Sequence, residues 1–462
     1  MLTYSMEERG GLPLYEYLYQ CIRRDILDGT LAAGERLPSK RALAEHLQIS
    51  VITVENAYQQ LEAEGFLYSR PRKGFFAAPV ERLPAAPAAP PAVAPETPEP
   101  VWRLDLTSGQ VDVSRFPVSV WARLTRQVLD QGGEALLTPV HRQGLLALRQ
   151  AIARDLRDRK GMAVAPEQVV VGAGAEYLYL LLAQLLAGTA FAVEDPGYPK
   201  IRRVYGKCGA ACRPVPLDGQ GVDLAALEAS GAGVLHLSPS HHYPTGLVTP
   251  IGRRQALLRW AEERNGVVIE DDYDSELRFT GRPIPTLQSI DDGGRVVYMN
   301  TFSQTISPSM RLGFMVLPPR LLERYRRELG FYACTVPALD QHVLARFLAG
   351  GHYDQHLSRM RKEYRARRAR VLESFRTSPF ADRISISEQG AGLHFLLRLD
   401  TARSDEALRR RGEALGVRLG FLSEYAALPR PEYDHTLVVN YAGLEEERLP
   451  RAMELLAEVL AE

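Results

Sequence analysis

Cysteine is scarce in this sequence, and neither sign of charge is in excess. The 462 residues include four cysteines, of which only Cys208 and Cys212 lie close together. No second pair of ligands stands near these two, so we predict free thiols in a reducing cytoplasm and no metal site. Lys and Arg together number 56, as do Asp and Glu. A nucleic acid or a membrane would therefore have to bind at a local patch.

Long apolar runs are also absent. Residues 1–11 include Glu7, Glu8 and Arg9 and lack the apolar segment of a secretory signal. No stretch stays apolar long enough to cross a bilayer. We therefore expect a cytoplasmic protein without a membrane partner. The length, with 45% hydrophobic residues, allows two or three domains.

Proline and alanine divide the chain. They dominate the stretch from Pro79 to Pro100, which predicts an extended, semi-rigid linker. Farther along, continuous apolar strands alternate with helical patterns, which predicts an α/β fold with a mostly parallel sheet covered by helices, before a small α+β pattern ends the chain. The predicted divisions are a compact domain at 1–78, a linker at 79–102, a large domain at 103–370 and a small C-terminal subdomain at 371–462.

Two short helices are predicted in the first domain. Ser39 and Ser50 stand where N-caps belong, and the apolar residues after each of them recur at helical spacing. Helices joined by so few residues form a helix-turn-helix. Residues 65–76 then predict two short aromatic strands around a basic turn, which together form a wing.

Residues 14–77 resemble the winged-helix domain of GntR-type transcription regulators, because both caps, the helix exit at Gly65 and the wing occur in that order. The resemblance implies binding of double-stranded operator DNA, with the second helix in the major groove and the wing on phosphate or in the minor groove. It places seven residues at the DNA: Arg41, Ser50, Thr53, Arg70, Arg72, Lys73 and Gly74.

The first domain departs from many related regulators at Val51 and Ile52, where Arg and Asn are common. We therefore expect base reading through contacts with thymine methyl groups. Residues 1–78 also hold nine Lys or Arg against ten Asp or Glu, so the basic surface must be local. The alternative interpretation is a helical domain used for protein contacts.

An anion site is predicted after an apolar strand of the large domain. Residues 172–176 follow that strand and open a helix, so backbone amides and the positive helix end can meet a phosphate. Tyr198 follows Asp-Pro-Gly after another strand, where its ring can cover a flat heterocycle. Asp271 lies in an acidic cluster after a third strand and can hold a protonated pyridine nitrogen.

Together with the segment from Ser303 to Gly313, these motifs resemble fold-type I aminotransferases over residues 103–462. The full chain resembles the MocR subfamily of GntR regulators. The resemblance implies a pyridoxal-phosphate pocket. It assigns the phosphate to Gly174, Ala175, Thr301, Ser303 and Arg311, ring stacking to Tyr198, the ring nitrogen to Asp271, the phenolic oxygen to Tyr273 and a ligand carboxylate to Lys200.

Gln304 stands where that family has its lysine. A neutral amide has no nucleophilic nitrogen, so it can neither form the Schiff base nor move the α-proton. We therefore expect no catalytic residue, and we expect any bound pyridoxal phosphate to be held non-covalently beside Gln304. The strand predicted at residues 437–441 also lacks the arginine that often binds a substrate carboxylate.

The sequence predicts a homodimeric transcription regulator whose aminotransferase-like pocket senses a small-molecule effector without converting it. Three effectors stay open: non-covalent pyridoxal phosphate, a preformed imine of it with an amine, or another phosphorylated or anionic metabolite. An alternative in the enzyme class is a weak or rerouted pyridoxal-phosphate-dependent reaction through Lys200. It also stays open whether Gln304 is natural or was introduced in place of a lysine.

Overall fold

The computed structural model describes residues 2–81, 100–109, 111–279, 284–387 and 390–461. They form two compact units, Met1–Glu99 and Pro100–Glu462. Most of the predicted linker, residues 82–99, lies outside the described residues. All four cysteines are free thiols. Within the described residues, no group of three or more His, Cys, Asp or Glu side chains is placed to hold a metal ion, and no helix is both long and apolar enough to cross a bilayer.

The N-terminal unit consists of helices followed by a two-stranded hairpin. Ser39 Oγ accepts a hydrogen bond from the Ala42 amide at 3.2 Å, and Ser50 Oγ accepts one from the Thr53 amide at 3.1 Å, so both predicted caps form. Buried apolar side chains from the helices and the hairpin make one core. The elements are α1 (Leu14–Asp28), α2 (Lys40–Leu47), α3 (Val51–Ala63), β1 (Leu67–Arg70) and β2 (Gly74–Ala77).

The C-terminal unit begins with a short strand, β3 (Leu104–Asp105), and then builds a large central sheet. Its strands in the described part of the chain are β4 (Val169–Gly172), β5 (Phe191–Asp195), β6 (Cys212–Asp218), β7 (Gly221–Val222), β8 (Val234–Leu237), β9 (Val267–Asp271), β10 (Val296–Thr301) and β11 (Gly313–Val316). Their order across the sheet is β4-β11-β10-β9-β8-β5-β6-β7. Neighbours from β10 to β6 pair in parallel, whereas β11 is antiparallel to both of its neighbours.

Helices cover both faces of this sheet because the strands are apolar on both sides. Val169 and Val171 face one helical layer, while Val170 between them belongs to the core on the other face. The helices are α4 (Val118–Gly132), α5 (Leu146–Lys160), α6 (Ala175–Leu185), α7 (Pro199–Lys207), α8 (Leu224–Ser230), α9 (Ile251–Glu263), α10 (Pro319–Glu328) and α11 (Ala338–Ala349).

The rest of the C-terminal unit packs around a smaller antiparallel sheet of β12 (Ile384–Ser387), β13 (His394–Leu399) and β15 (Thr436–Asn440), while β14 (Val417–Arg418) pairs with β3. Its helices are α12 (His352–Arg376), α13 (Asp405–Ala414) and α14 (Leu449–Leu460). Helix α12 runs without a break across the division predicted at residues 370 and 371. The pairing of β3 with β14 also joins the start of this unit to its C-terminal part.

The parallel strands point their carboxyl ends toward one edge of the central sheet. Gly174 follows β4, Tyr198 follows β5 and Ser238 follows β8, while Asp271 and Thr301 end β9 and β10. In open α/β sheets, this edge is where the crevice for a ligand opens. The topology therefore brings segments that are far apart in sequence to a single site.

Candidate functional site

A cavity of about 370 Å³ lies at the carboxyl ends of the parallel strands. Every residue that the resemblance assigned to the cofactor or to a ligand carboxylate lines this cavity except Gly174, which directly precedes the lining residue Ala175. The main lining residues are Thr107, Ala175, Glu176, Tyr179, Tyr198, Lys200, Ser238, Tyr243, Asp271, Tyr273, Asp274, Thr301, Ser303, Gln304, Arg311, His394 and Asn440.

Asp271 has a buried carboxylate in which one oxygen accepts a hydrogen bond and the other does not. The Tyr179 hydroxyl donates to Oδ2 at 2.6 Å, and His236 Nε2 lies 3.4 Å from the same oxygen. Oδ1 is buried and has no hydrogen-bond partner within the described residues. Because a buried acceptor without a donor is costly, Oδ1 is ready to accept from a ligand N–H, such as a protonated ring nitrogen.

Positively charged side chains lie near the start of α6, at the other end of the cavity from the Asp271 carboxylate. Gly174 has a φ of 85°, and a Cβ atom there would lie 2.8 Å from Arg311 Nη2, so glycine permits the close approach of the guanidinium. Arg311 donates to Glu176, and Lys200 Nζ lies 2.9 Å from the same carboxylate. Burial opposes ionisation of Glu176, but the bonds from Lys200 and Arg311 lower its pKa to about 2. Two cations and one carboxylate therefore lie beside a helix N-terminus, a position that favours an anion, and we call this place the anion-binding corner.

Aromatic rings form the walls between these two ends. Tyr198 is 41% exposed, and its ring centroid lies 5.9 Å from that of Tyr243 in an edge-to-face arrangement. The Tyr273 hydroxyl lies 3.2 Å from His241 Nδ1, which also contacts Asp274 at 2.8 Å. Burial raises the pKa of Tyr273 well above its ordinary value, so this phenol stays neutral and able to donate.

Gln304 lies in the turn after β10, with its Oε1 buried and without a hydrogen-bond partner in the described part of the chain. Thr301 and Ser303 line the cavity beside it. Lys200 is the lysine that lines this cavity, and it is paired with Glu176. That bond raises the pKa of Lys200, which keeps the nitrogen protonated rather than nucleophilic.

A buried lysine that the sequence interpretation did not consider lies in a neighbouring cavity. Lys160 Nζ contacts Asp272 at 2.6 Å and Glu276 at 2.9 Å. Burial alone would lower the pKa of Lys160, but the two carboxylates raise it well above its ordinary value. Lys160 is therefore a structural cation that holds the acidic cluster together.

Several lining residues were not predicted from the sequence: Tyr179, His394, Tyr243 and Asn440. Tyr179 lies three residues after Glu176 on α6, and that spacing on one helix face could have identified it. The others come from segments that only the fold brings here. Asn440, at the end of β15, uses Nδ2 to donate to the main-chain oxygens of Leu106 and Thr107.

The N-terminal unit places its predicted DNA-binding residues on the surface. Arg41 on α2 is exposed, and so are Arg72, Lys73 and Gly74 in the turn between β1 and β2. The Arg70 guanidinium carbon lies 5.3 Å and 5.1 Å from the ring centroids of Tyr68 and Phe76, so it packs on the hairpin while remaining exposed.

Ser50 and Thr53, the polar residues at the start of α3, have a local structural role. Ser50 Oγ and Thr53 Oγ1 lie 2.8 Å apart, and the same Oγ caps the helix. Between them, Val51 and Ile52 are 42% and 68% exposed. Apolar side chains therefore dominate the solvent-facing first turn of the predicted recognition helix.

Comparison with known proteins agrees with both units. Residues 103–456 match the family described as Aminotransferase class I and II, and residues 14–77 match Bacterial regulatory proteins, gntR family. The uncharacterized HTH-type transcriptional regulator YdeL of Bacillus subtilis is 36% identical over 94% of both chains. The probable rhizopine catabolism regulatory protein MocR of Rhizobium meliloti is 33% identical over 95% of this chain and 92% of its own. The protein belongs to the MocR-type HTH transcriptional regulators. This confirms the predicted family and its regulatory role.

The fold of the larger unit of this MocR-type regulator is also found in solved enzymes. LysN, the α-aminoadipate aminotransferase of Thermus thermophilus, is 26% identical, with a TM-score of 0.66 over 77% of this chain and 92% of its own. The kynurenine aminotransferase of Pyrococcus horikoshii has a TM-score of 0.68 over 79% and 91% at 22% identity, which speaks for the fold alone. The predicted fold class, a winged helix-turn-helix joined to a fold-type I aminotransferase unit, is confirmed.

Proposed function

We propose that this regulator binds operator DNA through its N-terminal unit and senses a small phosphorylated ligand in the cavity, without converting it. The observation that carries the proposal is Gln304, whose amide lies in the cavity with a buried, unpartnered Oε1. Lys200, which also lines the cavity, is paired with Glu176, and the buried Lys160 next door is paired with two carboxylates. The described lysines at and beside the cavity therefore offer no unprotonated amine for covalent attachment.

The residues present fit pyridoxal phosphate or a close relative. Asp271 Oδ1 would accept from the ring nitrogen, Tyr273 would meet the phenolic oxygen and Tyr198 would cover the ring. The phosphate would lie at the anion-binding corner, with Gly174, Ala175, Thr301, Ser303 and Arg311. When bound, the cofactor supplies an electron-withdrawing ring with a reactive carbonyl group.

A relative supports a vitamin B6 ligand. PdxR of Corynebacterium glutamicum, named as a pyridoxine biosynthesis transcriptional regulator, is 36% identical over 83% of both chains. That name describes PdxR itself, and it favours a B6 phosphate over an unrelated anion here.

Regulation requires that the ligand favour one arrangement of the DNA-binding units. We infer a cytoplasmic homodimer whose two N-terminal units meet two operator half-sites. The ligand changes DNA affinity only as far as it binds the two arrangements with different affinity.

Measurement of DNA binding tests the regulatory part. Fluorescence anisotropy with DNA from the upstream promoter, at several salt concentrations, is expected to show affinity that falls as salt rises. Addition of pyridoxal phosphate is expected to shift that affinity. Binding that is absent or independent of salt would contradict the DNA-binding role.

A second experiment tests the absence of covalent chemistry. Purified protein is incubated with pyridoxal phosphate, reduced with borohydride and digested for mass spectrometry. We expect a reduced adduct in Gln304→Lys and none in the unmodified protein. An adduct at Lys200 of the unmodified protein would instead favour the alternative function, a weak pyridoxal-phosphate-dependent enzyme.

A further inference from the structure

Gln304 and Asp271 each place a buried acceptor without a partner, among the described residues, in the same cavity. Asp271 Oδ1 has a natural donor in a protonated ring nitrogen, as proposed above. Gln304 Oε1 needs a second donor, and in the amide orientation of this structure a ligand that lacks one leaves this oxygen desolvated and unbonded. The chemistry at position 304 therefore bears on which form of a B6 phosphate binds best.

Gln304 occupies the position at which the resembling enzymes attach the carbonyl-bearing carbon of the cofactor. An aldehyde at that carbon offers only acceptor lone pairs. A primary alcohol offers one donor, and an ammonium group offers three donors and a positive charge. Hydrogen bonds that involve a charged group are stronger than those between neutral groups.

The charges that line the cavity favour a ligand with its own cation. Lys200 and Arg311 are its lining Lys and Arg residues in the described structure, and both contact Glu176. The carboxyl groups of Asp271 and Asp274 also line the cavity, and the amide of Gln304 adds no positive charge. A cationic group on the ligand next to Gln304 therefore improves the charge balance of this site.

The same lining disfavours an amino acid joined to the cofactor. Such a ligand carries a carboxylate, which the resembling enzymes often bind with an arginine; here the expected partner is Lys200, whose charge is already paired with Glu176. Here Asn440 ends β15, and its amide donates to the main-chain oxygens of Leu106 and Thr107. A free amine has no carboxylate that needs a partner.

We propose that the cavity selects pyridoxamine 5′-phosphate over pyridoxal 5′-phosphate, and that Gln304 Oε1 is the acceptor that makes the difference. This rests on the proposed function, because it names the preferred ligand of the same cavity. No covalent step is involved, and the amine is held by hydrogen bonds and charge.

Isothermal titration calorimetry on the full chain tests the selection. Pyridoxamine, pyridoxal and pyridoxine 5′-phosphates, which differ at one carbon, are compared with inorganic phosphate. We expect the amine form to bind at least about tenfold more tightly than the aldehyde form, since one hydrogen bond to a charged group is at stake. Gln304→Met keeps the length of the side chain without the acceptor, and is expected to bring that ratio close to one. Gln220→Met, at an exposed turn position, is the matched control and is expected to keep the ratio.

Gln304→Glu is a second variant in case methionine disturbs the turn. It keeps an acceptor and adds negative charge, so it is expected to preserve or increase the preference for the amine form. Equal or tighter binding of the aldehyde form by the unmodified protein overturns the selection and leaves a B6-binding regulator intact. A preference that survives in Gln304→Met overturns the role of Gln304. If no B6 phosphate binds more tightly than inorganic phosphate, the proposed ligand class fails as well.

Discussion

In the N-terminal unit, most of the side chains predicted to meet DNA are exposed, whereas in the C-terminal unit most residues predicted to meet a ligand line a cavity. Ile52 at the start of α3 is 68% exposed, while Asp271 at the end of β9 is 5% exposed. DNA is a large charged surface that exposed groups can reach. A small ligand has to be surrounded, so its partners must be buried.

This difference decides what a structure can reveal about each partner. Exposed groups in the N-terminal unit are satisfied by water, so their geometry leaves the operator sequence undefined. Buried acceptors in the C-terminal unit have no such substitute, and those without a partner indicate where ligand donors belong. Asp271 Oδ1 and Gln304 Oε1 therefore indicate where a ligand must place its hydrogen-bond donors. The exposed Arg72 gives no comparable information about the operator sequence.

The largest expected effect tests whether DNA affinity belongs to the N-terminal unit. Arg70→Ala with Arg72→Ala is expected to weaken DNA binding on the order of 100-fold and to lower the salt slope by about two, because two phosphate contacts are lost. Fluorescence anisotropy at several salt concentrations measures both quantities. Arg410→Ala with Arg448→Ala removes the same charge from exposed positions of the C-terminal unit and serves as the control. An equal loss of DNA affinity in the control variant would show that this affinity does not belong to the N-terminal unit alone.

The second effect tests the converse, that ligand affinity belongs to the C-terminal unit. Asp271→Asn removes the charge that meets a protonated ring nitrogen, so B6-phosphate affinity is expected to fall about tenfold or more, from the loss of about 1.5–3 kcal/mol. Calorimetry measures the ligand, and anisotropy measures DNA in its absence. Asp292→Asn is the exposed control. A matching fall in ligand-free DNA affinity would indicate a damaged fold rather than a lost contact.

A third prediction tests how the N-terminal unit reads the bases of the operator. If Val51 and Ile52 contact thymine methyl groups, replacing thymine by uracil in the operator is expected to weaken binding about threefold per contacted methyl, or about 0.8 kcal/mol. Competition anisotropy with the two DNAs measures this. In Val51→Ala with Ile52→Ala, the thymine and uracil operators are expected to bind alike. Undiminished binding of the uracil operator by the unmodified protein would rule out methyl reading.

The smallest expected effect is on how the stability of the C-terminal unit depends on pH. Burial raises the pKa of Glu194 to about 8, although the Ser238 amide donates to it at 2.8 Å. Since this pKa is above the usual carboxyl value, Glu194 binds its proton more tightly in the folded state than in the unfolded state. The stability that Glu194 contributes is therefore complete below about pH 4.5 and is lost as pH rises through about 8.

Thermal unfolding followed by tryptophan fluorescence measures this effect, because Trp102, Trp121 and Trp260 all lie in the C-terminal unit. In Glu194→Gln, the fall of the midpoint between pH 5 and pH 8 is expected to shrink by about 2 °C. Part of the fall remains, since burial also raises the pKa of Glu270, to about 7. Glu447→Gln, at an exposed position, should behave like the unmodified protein. A Glu194→Gln curve parallel to the original would mean that Glu194 is ionised when folded.

Much of the fold was predictable because local patterns carry it. Ser39 and Ser50 cap the helices that they were expected to cap, and the strand predicted at residues 437–441 is β15, which spans Thr436–Asn440. The division at residues 370 and 371 was placed inside α12, because a change of pattern in sequence does not require a break in a long helix. The linker expected from proline and alanine stays a prediction, because most of it lies outside the described residues.

The candidate site was predictable only in part. Motifs that follow strands pointed to Asp271 and Tyr198, since parallel strands end at a common edge, whereas Arg311 was assigned through the family resemblance. Lys160 escaped notice because its partners Asp272 and Glu276 lie more than a hundred residues away in sequence. His394 and Asn440 reach the cavity from the small antiparallel sheet, and no spacing in the sequence connects them with it.

The sequence by itself determined which chemical groups are available: a capped helix-turn-helix, a glycine before α6, a carboxylate after β9 and an amide where related enzymes have an amine. Only the tertiary structure decided which of those groups are already satisfied. Tyr179 engages one oxygen of Asp271 from 92 residues away, and nothing in the described structure engages the other. The physical reason is that burial and hydrogen bonding depend on neighbours in space, and the order of residues along the chain does not specify these neighbours one by one.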